Sequence, residues 1–281
     1  MDAEAYRADS REHWEGAAKG WSERRDAIQR SALPVSEAIL EHAALQPGHA
    51  VLEVAAGLGD TGLLAAELVR PGGTVVISDV ADAMVEAAKA HVEASGAPNV
   101  EVRQMEGEWL DVPTASQDAI VSRWGYMLLA DPEAALREAR RVLRPGGRIA
   151  LAVWAPIGEN PWIGVLQREL VAHGVATEPE PGTPGMFALA APGALEELLA
   201  AAGFADAGVE PVRFAWHADS LEAWWDHQRA VSISLGPALD RLSPADHYAL
   251  RDAVDAGYAP YVADDGSVAL PACCLVAWAE A

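Results

Sequence analysis

A glycine-rich turn in the first fifth of the chain carries residues that could bind a small ligand. Gly57, Gly59 and Gly62 have the spacing G-x-G-x-x-G and directly follow the apolar stretch Val51–Val54. Glycine allows the backbone to bend sharply and to approach a ligand closely, and the helix start that follows presents free N–H groups. The same spacing occurs in dinucleotide sites, so an NAD(P)-dependent oxidoreductase is one interpretation.

Two acidic residues at strand ends narrow the chemistry of the ligand. Glu53 lies four residues before Gly57, at the ligand end of an apolar strand, where an unpaired carboxylate is costly. A pyrophosphate would repel it, whereas a cationic or hydrogen-bond-donating ligand would suit it. Asp79 ends the next apolar strand, about 20 residues after the turn, which is the spacing of an acid that accepts hydrogen bonds from ribose hydroxyls.

Alternating strands and helices must position these residues. Period-two and apolar β-branched patterns predict strands at 50–55, 74–78, 99–104, 118–126 (with its exit loop), 148–154, 209–216 and 271–278. Helical spacing predicts helices at 1–30, 33–46, 63–69, from 82, and at 132–143, 163–173, 193–199, 221–232, 237–242 and 244–256. The pattern is typical of an α/β, doubly wound, Rossmann-like fold.

The segment from Glu53 to Gly59 resembles motif I of the class I S-adenosylmethionine (AdoMet)-dependent methyltransferases, D/E-x-G-x-G-x-G, with Ala55 in place of the first glycine. A second signature is L-R-P-G-G-R at 143–148, before an apolar strand. The chain is similar to the UbiE-like group, which methylates quinones and many secondary metabolites. The resemblance implies a seven-stranded sheet of order 3-2-1-4-5-7-6 and AdoMet as the cofactor.

The resemblance also implies the cofactor contacts. Val80 and Met84 would flank the adenine ring, and Glu106 would accept a hydrogen bond from the adenine amino group, although a solvated acidic loop is the alternative at 106–108. Trp14 and Trp21 form a W-x(6)-W pattern like that of a lid helix, whose alternative is ordinary packing on the core. The complete set of predicted cofactor contacts is Trp21, Glu53, Ala55, Gly57, Gly59, Asp79, Val80, Met84, Glu106, Gly107, Glu108 and Arg123.

Aromatic residues indicate where an acceptor would bind. Trp124 and Tyr126 follow the fourth strand, where the family places the reacting atoms, and Trp162 and Phe187 belong to the Pro- and Gly-rich segment 155–190. Trp224 lies in the long connection between the sixth and seventh strands. The chain has ten Trp and three Phe, and Trp can stack on a flat ligand, which favours an aromatic or polycyclic substrate. Helix–helix packing is the alternative for these aromatic residues.

A general base would assist a phenol or an activated carbon acid as methyl acceptor. His227, in the same long connection, is the preferred candidate and His217 is the second. Either histidine could instead be a packing or surface residue. No metal-binding pattern such as H-x-x-x-H or C-x-x-C occurs, so no metal is predicted.

These features divide the chain into three predicted parts. Residues 1–46 form an N-terminal helical lid, residues 47–216 and 271–281 form the AdoMet-binding Rossmann-like domain, and residues 217–270 form a helical cap inserted between strands six and seven. The predicted activity is transfer of a methyl group from AdoMet to a small molecule by in-line displacement. The alternatives are the oxidoreductase and a methyltransferase-like binding protein that has lost catalysis.

Composition limits the partners. The net charge of −22, with no dense run of basic residues, disfavours nucleic acid and anionic membranes as partners. No apolar run reaches the length of a membrane span, and the acidic N-terminus does not resemble a secretory leader. Cys273 and Cys274 are neighbours on a predicted strand, so they point to opposite faces and are not expected to form a disulfide. A cytoplasmic monomer or homodimer is expected.

Overall fold

The computed structural model describes residues 2–178 and 182–281, and the predicted loop residues Pro179, Glu180 and Pro181 lie outside these ranges. A seven-stranded sheet has the order β3-β2-β1-β4-β5-β7-β6, which confirms the predicted order. The strands are β1 (Ala50–Val54), β2 (Thr74–Asp79), β3 (Val100–Gln104), β4 (Gln117–Arg123), β5 (Leu143–Trp154), β6 (Ala205–Ala218) and β7 (Val268–Glu280). The first five pair in parallel, whereas β7 pairs antiparallel with both β5 and β6.

Helices cover both faces of this sheet, as the buried apolar strands require. They are α1 (Ala3–His42), α2 (Asp60–Leu68), α3 (Asp82–Ser95), α4 (Pro132–Val142), α5 (Pro161–Ala172), α6 (Ala194–Ala201), α7 (Leu221–Val231), α8 (Leu235–Leu239) and α9 (Pro244–Tyr258). The order of strands reverses direction between β1 and β4. In such sheets the ligand site lies at this point, beyond the carboxyl ends of the strands.

Helix α1 is continuous, so the predicted break near Pro34 is wrong. Asp2 caps its start by accepting hydrogen bonds from the backbone N–H groups of Glu4 and Ala5. Proline inside a helix costs about 3 kcal/mol. Val35 and Ile39 are fully buried, and each such side chain contributes roughly 1.5–3 kcal/mol, so packing of the rear half offsets the cost.

Several predicted strand boundaries are also wrong. The pairing of β6 with β7 runs from Ala205↔Glu280 to Ala218↔Val268, several residues longer at both ends than the apolar pattern indicates. Many side chains of β6 are exposed, so the hydrophobic signal is absent there although the ladder continues. β5 begins at Leu143 rather than at 148. Tyr126 lies in a short 3₁₀ turn after the end of β4, which agrees with the predicted exit loop.

The predicted cap is present between β6 and β7 as helices α7, α8 and α9. α8 spans Leu235–Leu239 rather than the predicted 237–242. α1 crosses α7 at Gly20, where an added Cβ would lie 1.6 Å from the carbonyl oxygen of Ala230. The division into three separate parts stays a prediction.

The two cysteines are free and buried, as expected of neighbours on a strand. Burial raises the pKa of the Cys273 thiol to about 11. In the described part of the chain, no helix combines the length and the apolar character that crossing a membrane needs.

Candidate functional site

The glycine turn follows β1 with the left-handed backbone that its sequence predicts. Gly57 has φ +55° and Gly59, which precedes α2, has φ +79°. Ala55, at the position of the missing first glycine, also has a positive φ of +52°. This conformation places the Cβ of an L-residue in an unfavourable position. Gly125 faces Ala55 so closely that a Cβ on Gly125 would lie 2.6 Å from the Ala55 Cβ.

Glu53 holds the turn from beneath. Its carboxylate is 1% exposed and accepts a hydrogen bond from the Gly62 N–H at 2.8 Å. A Cβ on Gly62 would lie 2.4 Å from the same carboxylate oxygen, so glycine is needed there. Burial raises the pKa of Glu53 to about 8, although Arg123 and the Gly62 N–H act in the opposite direction. Glu53 therefore supports the start of α2.

Asp79 lies at the end of β2, beside the turn. Its two carboxylate oxygens accept hydrogen bonds from the N–H groups of Gly57 (2.7 Å) and Ala81 (3.0 Å). Burial raises its pKa, and these backbone N–H groups act to lower it. A carboxylate offers about four acceptor positions, so Asp79 retains capacity for hydroxyl donors of a ligand.

A cleft lies above the turn and is lined by residues that follow β1 and by residues from the end of β2, the start of α3, the end of β4 and α1. Its main part has a volume of about 100 Å³, and an adjoining part has about 50 Å³. Ten of the predicted cofactor contacts line this cleft. Those in the main part are Trp21, Ala55, Gly57, Asp79, Val80, Met84 and Arg123. Those in the adjoining part are Glu106, Gly107 and Glu108. Glu53 and Gly59 do not line either part. We call the two parts together the cofactor cleft.

The first half of α1 closes the cofactor cleft. Trp14 and Trp21 line it and contact each other edge to face, with ring centroids 5.6 Å apart. Arg7 and Arg11 form ion pairs with Glu108 and Glu106 on the loop after β3. The cleft volume is below the roughly 300–1,000 Å³ of ligand sites, with the first half of α1 as one wall of the cleft.

The charged residues of α1 that contact the loop after β3 and the start of α3 were not among the predicted site residues. Arg7, Arg11 and Glu15 recur every four residues and therefore share one face of the helix. Glu15 accepts a hydrogen bond from the N–H of Ala83 at 2.9 Å, at the start of α3. This spacing of charged residues is visible in the sequence and could have indicated the contact.

Arg123 lines the cofactor cleft and also ties α1 to the sheet. Its guanidinium donates to Ser36 Oγ (2.8 Å) and Gln29 Oε1 (3.0 Å), both on α1, and lies 3.8 Å from the Asp60 carboxylate. Asp60 also pairs with Arg25 at 2.6 Å. Burial lowers the pKa of Arg123, against the opposing effect of Asp60. Arg123 is thus largely committed to protein partners.

Trp124 is the predicted acceptor contact that lies at the cofactor cleft. Its backbone has φ +67°, an unfavourable value for a bulky residue. Its ring stacks on Trp154 with centroids 4.6 Å apart, and its indole N–H donates to the Cys274 sulfur at 3.0 Å. These contacts hold a strained residue in place beside the cleft, which is typical of functional positions.

Tyr126, Trp162 and Trp224 lie in the hydrophobic core rather than at a described cavity. Trp162 packs between Trp154 and Trp216, with ring centroids at 4.9 and 5.5 Å. Their contact with an acceptor stays a prediction.

His227 is also buried. Its ring stacks on Trp224 with centroids 5.2 Å apart. His227 lines neither the cofactor cleft nor the cavity of about 670 Å³ beside α5. Burial and the nearby Arg24 lower the pKa of His227 to about 4, so the imidazole is neutral at pH 7. His217 is exposed and lines a separate cavity with Arg30 and Asp219. The role of either histidine as base stays a prediction.

A larger cavity of about 670 Å³ lies between α5, the α7–α8 region and residues 182–191. Phe187 is the predicted acceptor contact that lines it. We call it the apolar cavity, since most of its lining side chains are aliphatic. Across the described residues, no group of three or more His, Cys, Asp or Glu is arranged to hold a metal ion, and the absence of a metal stays a prediction.

Known proteins agree with this geometry. Residues 52–151 match the methyltransferase domain family. Nocamycin O-methyltransferase of Saccharothrix syringae is 35% identical over 182 residues, which cover 62% of this chain and 65% of that protein. The segment 52–151, which includes the glycine turn and Asp79, belongs to the methyltransferase domain family.

A further curated protein and a solved structure are similar to this chain. The C-methyltransferase UbiE of Caulobacter sp. (strain K31) is 36% identical over 120 residues, covering 41% of this chain and 48% of UbiE. A SAM-dependent methyltransferase structure from Aquifex aeolicus has a TM-score of 0.52 at 23% identity, covering 69% of this chain and 92% of that one. The chain thus spans less than two thirds of the length of both curated relatives. The structural likeness shows the fold alone.

Proposed function

We propose that the protein transfers a methyl group from S-adenosylmethionine to a small-molecule acceptor. The observation that carries the proposal is Asp79, a buried carboxylate that lines the cofactor cleft and is oriented by the N–H groups of Gly57 in the glycine turn and of Ala81. It is placed to accept hydrogen bonds from ribose hydroxyls. The family match and the two curated methyltransferases support the same conclusion.

The residues of the cofactor cleft fit AdoMet. Bound there, AdoMet would supply an activated methyl group on a sulfonium. Val80 and Met84 provide apolar contacts for a purine, and Glu106 provides an acceptor for its amino group once Arg11 is displaced. Trp14 and Trp21 provide aromatic faces that can attract a cation and exclude water.

The protein's contribution to catalysis is alignment and exclusion of water, because the leaving group of a sulfonium is already activated. Trp124, held by Trp154 and Cys274, would position the acceptor beside the methyl group. The neutral His227 could accept a proton if the acceptor reaches it. If His227→Asn left both kcat and its pH profile unchanged, this role would be excluded.

The acceptor is proposed to be a small aromatic or polycyclic metabolite. The names of the relatives include an O-methyltransferase and a C-methyltransferase, so either acceptor atom is compatible with the family. The oxidoreductase alternative is disfavoured because the match to the methyltransferase family includes the glycine turn. A non-catalytic binding protein remains the competing proposal.

Isothermal titration with AdoMet, S-adenosylhomocysteine and NADH tests the cofactor. We expect the first two to bind and NADH not to bind. Asp79→Ala should weaken AdoMet binding about 100-fold or more, because it removes charge-assisted hydrogen bonds of roughly 1.5–3 kcal/mol each. Asp82→Ala, an exposed residue three positions later with the same change in charge, is the matched control and should bind normally.

Binding of NADH alone would contradict the proposal. Methylation of an acceptor by the wild type, lost in Asp79→Ala, would separate the enzyme from a non-catalytic binding protein. We further propose a cytoplasmic monomer or homodimer that binds no nucleic acid. Analytical ultracentrifugation and titration with duplex DNA test these two properties.

A further inference from the structure

We propose that the apolar cavity binds the body of the methyl acceptor, and that this acceptor is a neutral, apolar molecule of polycyclic or extended shape. This inference rests on the proposed function and adds the class of substrate. The cavity volume of about 670 Å³ falls within the roughly 300–1,000 Å³ of small-molecule sites. The cofactor cleft, at about 100 Å³, has no such space for a second molecule.

The lining of the apolar cavity selects against charge. Its walls include the buried side chains of Leu166, Leu170 and Val175 on one side and of Leu235 on the other. None of the described lining residues is an aspartate, a glutamate or a lysine, although the chain carries a net charge of −22. A cationic ligand would lose its hydration there without gaining a partner of opposite charge among the described lining residues.

One charged residue lies at the cavity. Arg241 is exposed and donates a hydrogen bond to the carbonyl oxygen of Val175, so part of its guanidinium is already engaged. Polar uncharged groups, the buried amide of Gln228 and the hydroxyl of Ser232, lie at the end of α7. A few such groups in an apolar site fix the orientation of a ligand.

Hydrogen bonds connect the surroundings of the apolar cavity and of the cofactor cleft at two places. The carbonyl of Met127 accepts a hydrogen bond from the N–H of Gly185 (2.9 Å), and the next residue, Leu128, lines the cofactor cleft. Trp21, on the cleft, donates its indole N–H to the carbonyl of Val231 (3.2 Å), the neighbour of a residue lining the cavity. The two spaces are therefore adjacent, and only the reacting end of an acceptor held in the apolar cavity would need to enter the cofactor cleft.

Titration with the neutral fluorescent probe N-phenyl-1-naphthylamine tests the cavity. The full-length wild type should bind one equivalent with enhanced fluorescence. Ala188→Trp and Ala176→Phe place bulky side chains at the lining and should weaken probe binding about tenfold or more, because they occupy the space of the ligand. Ala200→Trp, at an exposed alanine on α6 away from the cavity lining, is the matched control and should bind like the wild type.

AdoMet titration on the same variants separates the two proposals. We expect unchanged AdoMet affinity and a thermal midpoint near that of the wild type, which shows that the variants fold. If all variants bind the probe equally, or the wild type does not bind it, the cavity inference is wrong while methyl transfer stands. If probe binding behaves as expected and AdoMet does not bind, the proposed function is wrong instead.

A competition experiment connects the cavity to the acceptor. Any molecule that the protein methylates should displace the probe from the wild type, and its KM should rise in Ala188→Trp more than in Ala200→Trp. A methylated acceptor that leaves the probe bound, with the same KM in both variants, would overturn the assignment.

Discussion

The cofactor cleft and the apolar cavity are built in different ways, although they lie next to each other. The floor of the cleft comes from backbone turns at strand ends, at Gly57, Asp79 and Gly125. The apolar cavity comes from side chains of α5, the α7–α8 region and residues 182–191, which are far apart in the chain. A backbone turn demands particular residues at fixed spacing, whereas an apolar wall accepts many aliphatic residues. The first therefore leaves a motif in the sequence and the second leaves none.

The two regions also differ in charge. The cofactor cleft is lined by Asp79, Glu106 and Glu108, which suit a ligand that carries a positive charge and donates hydrogen bonds. The described lining of the apolar cavity holds no acid. The protein thus separates the recognition of a cationic cofactor from that of a neutral acceptor.

A substitution at Gly20 should have the largest effect on both the cofactor cleft and the apolar cavity, because α1 contacts α7 at this residue. A Cβ at Gly20 would lie 1.6 Å from the Ala230 carbonyl oxygen, so Gly20→Ala must push the helices apart. We expect a loss of about 2–3 kcal/mol in the free energy of unfolding and weaker binding of both AdoMet and the neutral probe. Urea unfolding and the two titrations measure these effects.

Gly16→Ala is the matched control on the same helix. Its Cβ would meet only the tip of the Ile233 side chain, at 3.3 Å. Alanine in a helix gains about 1 kcal/mol over glycine, so stability should stay equal or rise. If both substitutions had the same effect, the close approach at Gly20 would not couple the two sites.

Glu53 provides an electrostatic test beside the cofactor cleft, because its pKa is raised in the folded protein. Its pKa in the folded protein, about 8, lies above its ordinary value of 4.5, so the folded state binds the proton more tightly. This contribution to stability is therefore lost as pH rises from 4.5 to 8. Relative to Glu53→Gln, the wild type should lose on the order of 2 kcal/mol between about pH 6 and pH 8, as measured by urea unfolding.

Glu67→Gln, on the exposed side of α2, is the control for loss of a carboxylate. Its pH dependence should follow that of the wild type. Probe binding in the apolar cavity should not change over the same pH range in any of these proteins. If the free energy of unfolding changed with pH in the same way in the wild type and in Glu53→Gln, the raised pKa of Glu53 would be contradicted.

Ala55 and Gly125 test how strictly the backbone sets the cofactor cleft. Ala55→Gly relieves a positive φ but makes the unfolded chain more flexible, so stability should change by about 1 kcal/mol or less. Gly125→Ala alone should destabilise more, because its Cβ would lie 2.6 Å from that of Ala55. The double variant should recover part of the loss, and a double-mutant cycle by thermal unfolding measures this coupling.

Sequence reasoning predicted most of the cofactor cleft because backbone geometry there depends on local residue types. The glycine turn, Asp79 and the strand order lie where the spacing indicates. Glu53 was placed correctly in the chain, but its side chain supports α2 from beneath instead of lining the cleft. Spacing alone does not show toward which side of a turn a buried carboxylate points.

The acceptor side was harder to predict because its walls depend on tertiary packing. Trp162 and Trp224 were expected at the ligand, yet both pack in the core, since a large aromatic ring stabilises either environment. The unbroken α1 shows the same limit, because burial of its rear half outweighs the local preference at Pro34. The local sequence around Trp162, Trp224 and Pro34 does not indicate these long-range contacts.

The rear of α1 has a consequence for the order of folding. His42, at the end of the first helix, stacks on Trp278 of the last strand with ring centroids 3.5 Å apart and contacts Glu210 on its neighbour at 2.9 Å. Helix α1 and the β6–β7 hairpin are far apart in the sequence, so their contact closes a long loop of chain. Contacts of such long range slow folding, and the packing of the rear of α1 is therefore expected to form late.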